Sequence, residues 1–408
     1  MPVNDERTDE QRWAEIGRIV SQVQTVTHRH HTFLERIGDA SIKPLTGFPI
    51  AIVVLLFTFQ IIRLVGEGLI GYVFEPIFNV YTPLAMKLSE LLGPGFVHDV
   101  LIGTLVEGEI DYVQSMGLLT TGLFVPFAMV LPYVFAFYLV LGFLEDCGYL
   151  PRLAVLIDSL MHKIGLHGLA IVSFLLGLGC NVPGALSTRV LETRRQVFIA
   201  ATLMAIAVPC VAQIAMIVGL VGKYGAKGLG IVLFTLFMVW MVLGYLLNKI
   251  LKGKSPEIFM EIPPYRIPYW GALLKKLWMR IRFFLREAVP YVLLGVFIVN
   301  VLYVLGIIEL IGKIAAPIVV GLLGLPAEAV AALVVGFLRK DVAIGMLLPL
   351  GLTMSQAIVA SVVLAMYFPC VATFAVLTKE LGIVGMAKSA AIMIASALLV
   401  GVLLNLIL

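Results

Sequence analysis

The chain has 408 residues, of which 61% are hydrophobic and 13% charged, and its mean hydropathy is +1.04. Apolar runs of about 20 residues recur, enough to cross a hydrocarbon core about 30 Å thick, and they are continuous rather than alternating, which excludes a transmembrane β-barrel. The net charge of +4 is too unevenly distributed to indicate a nucleic-acid partner.

The expected fold is an all-α polytopic membrane protein with about seven full spans plus two re-entrant hairpins. The opening residues, MPVNDERTDEQRW, are polar and acidic, unlike a cleavable signal peptide. The four cysteines (Cys147, Cys180, Cys210, Cys370) are too few and scattered for a disulfide framework. No G-x-x-x-x-G-K-[ST] occurs. The nearest stretch, Gly219–Tyr224, ends G-K-Y and lacks the hydroxyl that holds Mg²⁺, so neither a P-loop nucleotide site nor an enzyme is expected in this chain.

Residues 1–44 read as a polar, partly amphipathic cytoplasmic helix, with apolar spacing at Trp13, Ile16, Ile19, Val20 and Val23. His28, His30 and His31 fall here with nothing nearby to complete a metal-ligand set. The transmembrane region is 45–408. Its first span is 48–66. Residues 67–112 carry seven acidic side chains against Lys87 alone and read as an outer loop. The second span, 115–143, contains Pro126 and Pro132. Leu144–Arg152 (L-E-D-C-G-Y-L-P-R) follows, with Glu145 and Asp146 as candidate mouth carboxylates that could equally pair with Arg152.

Residues 169–187 come next, then spans at 197–221 and 228–248. The basic loop 249–286 holds nine Lys or Arg against two Glu. Further apolar segments are 287–305, 327–350, 355–378 and 385–407. Basic loops stay in the cytoplasm. With the N-terminus inside, 144–165 and Arg189, Arg194 and Arg195 all fall inside. Both ends of 169–187 are then on one side, making it a re-entrant hairpin.

The tip of that hairpin is Gly177–Arg189, G-L-G-C-N-V-P-G-A-L-S-T-R. Glycine and proline loosen the helical ladder, which at membrane depth is tolerated only in protein or beside a cavity. A shift of 160 residues lays Val208–Gln213 (V-P-C-V-A-Q) on Phe368–Thr373 (F-P-C-V-A-T) and the run before Cys180 on the run before Arg339. Three spans separate the two hairpins, so the halves should be inverted, as in many secondary transporters. The second tip carries Arg339 and Asp341, costly charges that default to a functional reading.

Cys180, Cys210 and Cys370 stand at equivalent breaks, and thiolates select the softer first-row metals. Asn181, Thr188 and Gln213 could supply oxygen ligands or hold freed backbone groups. Cys147 lacks this setting and reads as packing; Met204, Met216 and Met366 lie near these breaks and could add thioether ligands, though core filling is the better reading.

These residues resemble the membrane region of the FeoB ferrous-iron transporters. The resemblance rests on G-x-G-C-N-V-P-x-x-x-x-T-R at Gly177–Arg189, L-E-D-x-G-Y at Leu144–Tyr149, E-I-P-P-Y-R-I-P at Glu261–Pro268, P-C-V-A-T at Pro369–Thr373 and P-L-T-G-F-P-I at Pro44–Ile50. It runs from about residue 35 to the C-terminus. It implies paired gate repeats, about 144–248 and 306–408, and Fe²⁺ uptake across a prokaryotic cytoplasmic membrane. The family's gate cysteines carry over to Cys180, Cys210 and Cys370.

The family normally begins with a GTP-binding domain, for which about 40 polar residues stand here, so either a separate GTP-binding domain or small accessory protein is the cytoplasmic partner, or the transporter runs without a nucleotide domain. A homo-oligomer is compatible with the sequence. The second hairpin reads R-K-D at Arg339–Asp341 where the family usually has A-K-E. The first P-C segment also departs from the family, with Val208 before Pro209 and Gln213 after Ala212. The alternative is a transporter of an organic solute such as a nucleoside on the same plan. A third reading is a non-transporting subunit that docks a partner through 249–286.

Overall fold

The computed structural model describes residues 9–23, 33–93, 95–103, 105, 110, 112, 115, 117–251, 253, 262–304, 306–338 and 340–408. Every regular element among them is helical. The polar N-terminus forms two helices, α1 (Asp9–Val23) and α2 (Phe33–Ile42). The apolar face of α1, with Trp13, Ile16, Ile19, Val20 and Val23, is exposed. His28, His30 and His31 lie outside the described residues.

Residues 67–112 are not the open loop their acidic charges predict. Helix α3 (Pro44–Leu69) runs through a π-helical turn at Ile70–Phe74 into α4 (Glu75–Leu92). The 49 residues of Pro44–Leu92 form one helical stretch. At 1.5 Å per residue it is about 74 Å long, more than twice the hydrocarbon thickness. Pro76 sits at the start of α4, where its missing N–H costs little. Glu67, Glu75, Lys87 and Glu90 are exposed on this rod and leave its helical ladder intact.

The segment after α4 is packed as well. Helix α5 (Phe96–Leu101) and Ile110 cover Ala85, and Tyr112 stacks on Phe124 while Phe78 meets both rings edge to face. Thr121–Phe124 (α6), a π-helical Val125–Val130 at Pro126, and α7 (Leu131–Asp146) make the next crossing.

The remainder is two copies of one unit. In the first, α8 (Tyr149–Lys163) leads to the helix pair α9 (Ala170–Gly179) and α10 (Asn181–Ser187). A broken helix follows, α11 (Arg194–Ala207) and α12 (Val211–Val221), and then α13 (Gly225–Ile250). Helix α14 (Trp270–Val304) connects the copies. It begins well inside the predicted loop 249–286. Its apolar and basic residues alternate at helical spacing, so charge alone marks no loop there.

In the second copy, α15 (Ile307–Gly321), the pair α16 (Ala329–Leu338) and α17 (Lys340–Leu347), and α18 (Met354–Met366) repeat the order. Helix α19 (Val371–Ile407) is interrupted at Gly382, with φ 73 and ψ 167, where the first copy changes from α12 to α13.

Small details repeat too. Thr193 with Gln196 and Thr353 with Gln356 form reciprocal N-terminal capping boxes 160 residues apart. Gly165 and Gly324 take φ 78 and 66, and a Cβ on either would collide with Asn248 or Asn405. Those asparagines donate to the Lys163 and Leu322 carbonyls at 3.1 and 3.2 Å. Alanine at Gly165 therefore meets left-handed strain and a clash together. A loss of about 1–3 kcal/mol is expected, read as a lower thermal midpoint in detergent, with a similar loss at Gly324.

One core runs through both copies, centred on α11 and α18, whose residues Ile199–Ile206 and Ala357–Met366 are almost entirely buried. The copies interlock, α10 and α11 packing on α19, and α12 on α17 and α18. Pro44–Leu92, Thr121–Asp146, Arg194–Ile250 and Thr373–Ile407 are each long and apolar enough to cross a membrane. The protein is a multi-pass all-α membrane protein.

Candidate functional site

Helix α9 has ten residues and α10 seven. At about 15 and 10 Å neither can cross a bilayer. They pack on each other around Cys180, which is extended at φ −150 and ψ 132. The close pairing needs Gly184. A Cβ there would lie 2.8 Å from the Gly177 nitrogen and 2.5 Å from the Met204 sulfur. The second copy repeats the arrangement, with α16 and α17 packed on each other.

The broken helices supply the other two thiols. The chain leaves helix at Val208 and re-enters after Cys210, whose backbone is extended at φ −73 and ψ 171. It leaves again after Met366 and re-enters after Cys370, at φ −61 and ψ 157. Cys180, Cys210 and Cys370 thus share one local structure: each is the residue that caps the start of a helix, α10, α12 and α19. Proline before Cys210 and Cys370 blocks the helix upstream, and the freed N–H groups downstream face the cap. A helix start favours negative charge, which suits a thiolate.

The Cys180 thiol lies within electrostatic reach of both the Cys370 and Cys210 thiols. All three residues are partly accessible. Among the described residues, however, no three His, Cys, Asp or Glu side chains stand close enough together to hold a metal ion in this conformation.

Asn181, Thr188 and Gln213, left open between two roles by the sequence, take different ones. Thr188 donates to the Ala185 carbonyl at 2.7 Å and finishes the end of α10. Gln213 spans both copies. Its Oε1 accepts from the Cys210 N–H at 2.9 Å, and its Nε2 donates to the Ala365 carbonyl at 3.1 Å. Asn181 is 4% exposed and its Oδ1 has no hydrogen-bond partner among the described residues. An unpaired oxygen one residue from Cys180 fits a role as a cation ligand. Cys370 Sγ lies 3.2 Å from Thr373 Oγ1, in the place that Gln213 takes beside Cys210.

Arg339 lies outside the described residues, as does the side chain of Asp341. The residue between them was missed by sequence reasoning. Lys340 opens α17, is 5% exposed and donates to the Ala365 carbonyl at 3.3 Å. In a run of three charges, nothing local singles out Lys340 as a buried one.

Glu145 and Asp146 do not pair with Arg152. They meet the basic face of α14. Lys276 lies 2.5 Å from Asp146 and 3.4 Å from Glu145, and Arg280 lies 2.8 Å from Glu145. The Asp146 hydrogen bond holds Lys276 above the usual lysine range. Arg152 instead donates to the Gly148 carbonyl at 2.7 Å and stacks on the Tyr265 ring at 3.9 Å. These two carboxylates thus dock the 262–286 segment, which seats Tyr265 and Arg266 on the L-E-D-C-G-Y turn. Cys147, read as packing, donates to the Leu144 carbonyl at 3.3 Å.

Arg189, read as a topology anchor, makes a two-pronged ion pair with Glu380, one prong at 2.8 Å. It joins the base of the first hairpin to the end of the broken helix in the second copy. An apolar cavity of about 120 Å³ lies between α3, α7, α8, α9 and α12, bordered by Gly179 beside Cys180 and Val211 beside Cys210.

Two copies of a unit made from a short helix pair and a broken helix, with cysteines at the breaks, define a membrane protein of the hairpin-repeat class. The comparisons with known proteins narrow the class. The family model described as "Gate: Nucleoside recognition" matches residues 127–224 and again 285–384, and "Ferrous iron transport protein B C terminus" matches 229–280. The paired matches extend each repeat upstream, to α7 in the first copy and the second half of α14 in the second.

The Fe(2+) transporter FeoB of Methanocaldococcus jannaschii is 27% identical over 412 aligned residues, covering 91% of this chain and 58% of the relative. That of Staphylococcus aureus strain COL is 26% identical, covering 76% and 51%. A Porphyromonas gingivalis "Fe(2+) transport protein A/Fe(2+) transporter FeoB fusion protein" is 29% identical over 40% of this chain. The chain therefore spans a little over half the length of the first two relatives. No solved structure matches significantly. The chain is an FeoB-type transmembrane domain.

Proposed function

We propose that this chain carries Fe²⁺ across a prokaryotic cytoplasmic membrane, with the ion bound among Cys180, Cys210 and Cys370. The observation that carries the reading is the shared position of the three cysteines, each capping a helix at a break and within electrostatic reach of one another. The unpaired Asn181 oxygen and the names of the relatives support it. In this reading the N-terminus is cytoplasmic, and seven full spans carry two re-entrant hairpins in inverted repeats. The ion enters from the outer side, where α4 and α5 pack, and leaves as the hairpins shift.

The cytoplasmic turn Leu144–Arg152, with the 262–286 segment locked to it, is the docking place for a GTP-binding domain or a small accessory protein. The fused relative supports the second of these partners.

The chain reconstituted alone in vesicles should accumulate radiolabelled Fe²⁺ above the rate of protein-free vesicles and leave radiolabelled uridine at background. Uridine accumulation without Fe²⁺ would establish the organic-solute alternative. Uptake of neither, with Fe²⁺ still unbound by the purified chain, would make it a non-transporting subunit.

A further inference from the structure

Lys340 is placed where a lysine is least comfortable. It is buried at the first position of α17, so its positive charge sits at the positive end of a helix and away from water. Among the described residues no carboxylate pairs with it. Its ammonium is met by the Ala365 carbonyl at 3.3 Å. It is also within electrostatic reach of the Cys210 and Cys370 thiols.

That carbonyl is exposed by the break after Met366, and it already accepts from Gln213, whose other end holds the Cys210 N–H. A freed carbonyl that also anchors the Gln213 bridge to Cys210, with two thiols within electrostatic reach, places this buried cation beside the ligands a metal would use. The cation present is the chain's own.

We propose that the Lys340 ammonium is a tethered cation that fills the transport site when Fe²⁺ is absent and must leave when Fe²⁺ enters. The proposal rests on the cysteine site of the preceding section. It explains why no metal-ready cluster of ligands is assembled in this conformation. Two cations among the same sulfurs repel strongly in a low dielectric, so the ion and the ammonium exclude each other. Because Lys340 belongs to the second hairpin and Cys210 to the first copy's broken helix, displacing the ammonium separates elements of the two copies. Ion binding is thereby coupled to hairpin movement. On release, the ammonium returns to the Ala365 carbonyl and refills the empty site.

The test titrates Co²⁺, a spectroscopic stand-in, into the purified chain and follows thiolate-to-metal charge-transfer absorption. Lys340→Met and Lys340→Gln should each bind Co²⁺ about tenfold or more tightly than the unaltered chain, while Lys340→Arg should not. The glutamine variant keeps a donor for the Ala365 carbonyl, so agreement between the two neutral variants assigns the effect to charge. Their Fe²⁺ uptake in vesicles should fall despite tighter binding. Equal or weaker Co²⁺ binding in a folded neutral variant overturns the proposal and leaves the cysteine site standing. No thiolate band in any form removes the cysteine site and the proposal together.

Discussion

Serine at Cys370 abolishes Fe²⁺ uptake in reconstituted vesicles and leaves the fold intact. The second half of that expectation makes the first half informative. Cys370 caps the start of α19, and serine is among the better residues at a helix cap. The Cys370 sulfur accepts no hydrogen bond from the first turn, so serine loses no cap there, and its oxygen still lies near Thr373. Stability in detergent should therefore shift by no more than about 1 kcal/mol.

The ligand chemistry does change. A neutral hydroxyl replaces a soft, ionisable sulfur, and the preference for a first-row transition ion over Mg²⁺ or Ca²⁺ goes with it. Cys180→Ser and Cys210→Ser should behave alike, because the same capping geometry recurs at α10 and α12. Uptake at the unaltered rate in both Cys180→Ser and Cys370→Ser would remove the thiols as ligands. Cys147→Ser provides the control. Its sulfur donates to the Leu144 carbonyl, away from the three breaks, and uptake should persist.

The site was legible in the sequence where local chemistry dictates local structure. Proline before cysteine in an apolar run announces a broken helix, and the repeated P-C-V-A segment locates its partner. The structure then repeats the capping boxes at Thr193 and Thr353 and the positive-φ glycines at 165 and 324. What stayed hidden depends on distant parts of the chain. Glu145 and Asp146 find their cations on α14, about 130 residues away, although Arg152 is nearer in sequence. Lys340 is one of three consecutive charges, and only packing against the Ala365 carbonyl distinguishes it. Residues 67–92 read as a loop because charge outweighed helical continuity, whereas a few exposed charges on a long rod cost little outside the membrane core.

The ion pair between Arg189 and Glu380 also joins distant positions, 191 residues apart, and removing its two ends should have unequal effects. The Glu380 side chain is 7% exposed and that of Arg189 50%. Glu380 also stands near the C-terminal end of the helical segment before Gly382, where a negative charge is disfavoured unless neutralised. Arg189→Ala strands this carboxylate in the protein, and a loss of about 3 kcal/mol is expected. Glu380→Gln leaves a half-exposed guanidinium that water can solvate, and a loss of about 1 kcal/mol is expected.

The functional effect follows from what the pair connects. It ties the base of the first hairpin to the second copy on the side that holds Arg194, which also donates to the Glu380 carbonyl at 3.4 Å. With the tie cut, the hairpin separates more readily from α19 and, in the topology proposed above, the cysteines open toward the cytoplasm. In inside-out vesicles, labelling of Cys180, Cys210 and Cys370 by a membrane-impermeant thiol reagent should be several-fold faster in Arg189→Ala. The exchanged pair, Arg189→Glu with Glu380→Arg, should return labelling most of the way to the original rate. Unchanged labelling in Arg189→Ala, alongside the expected stability loss, would make the pair a structural brace with no part in opening the site.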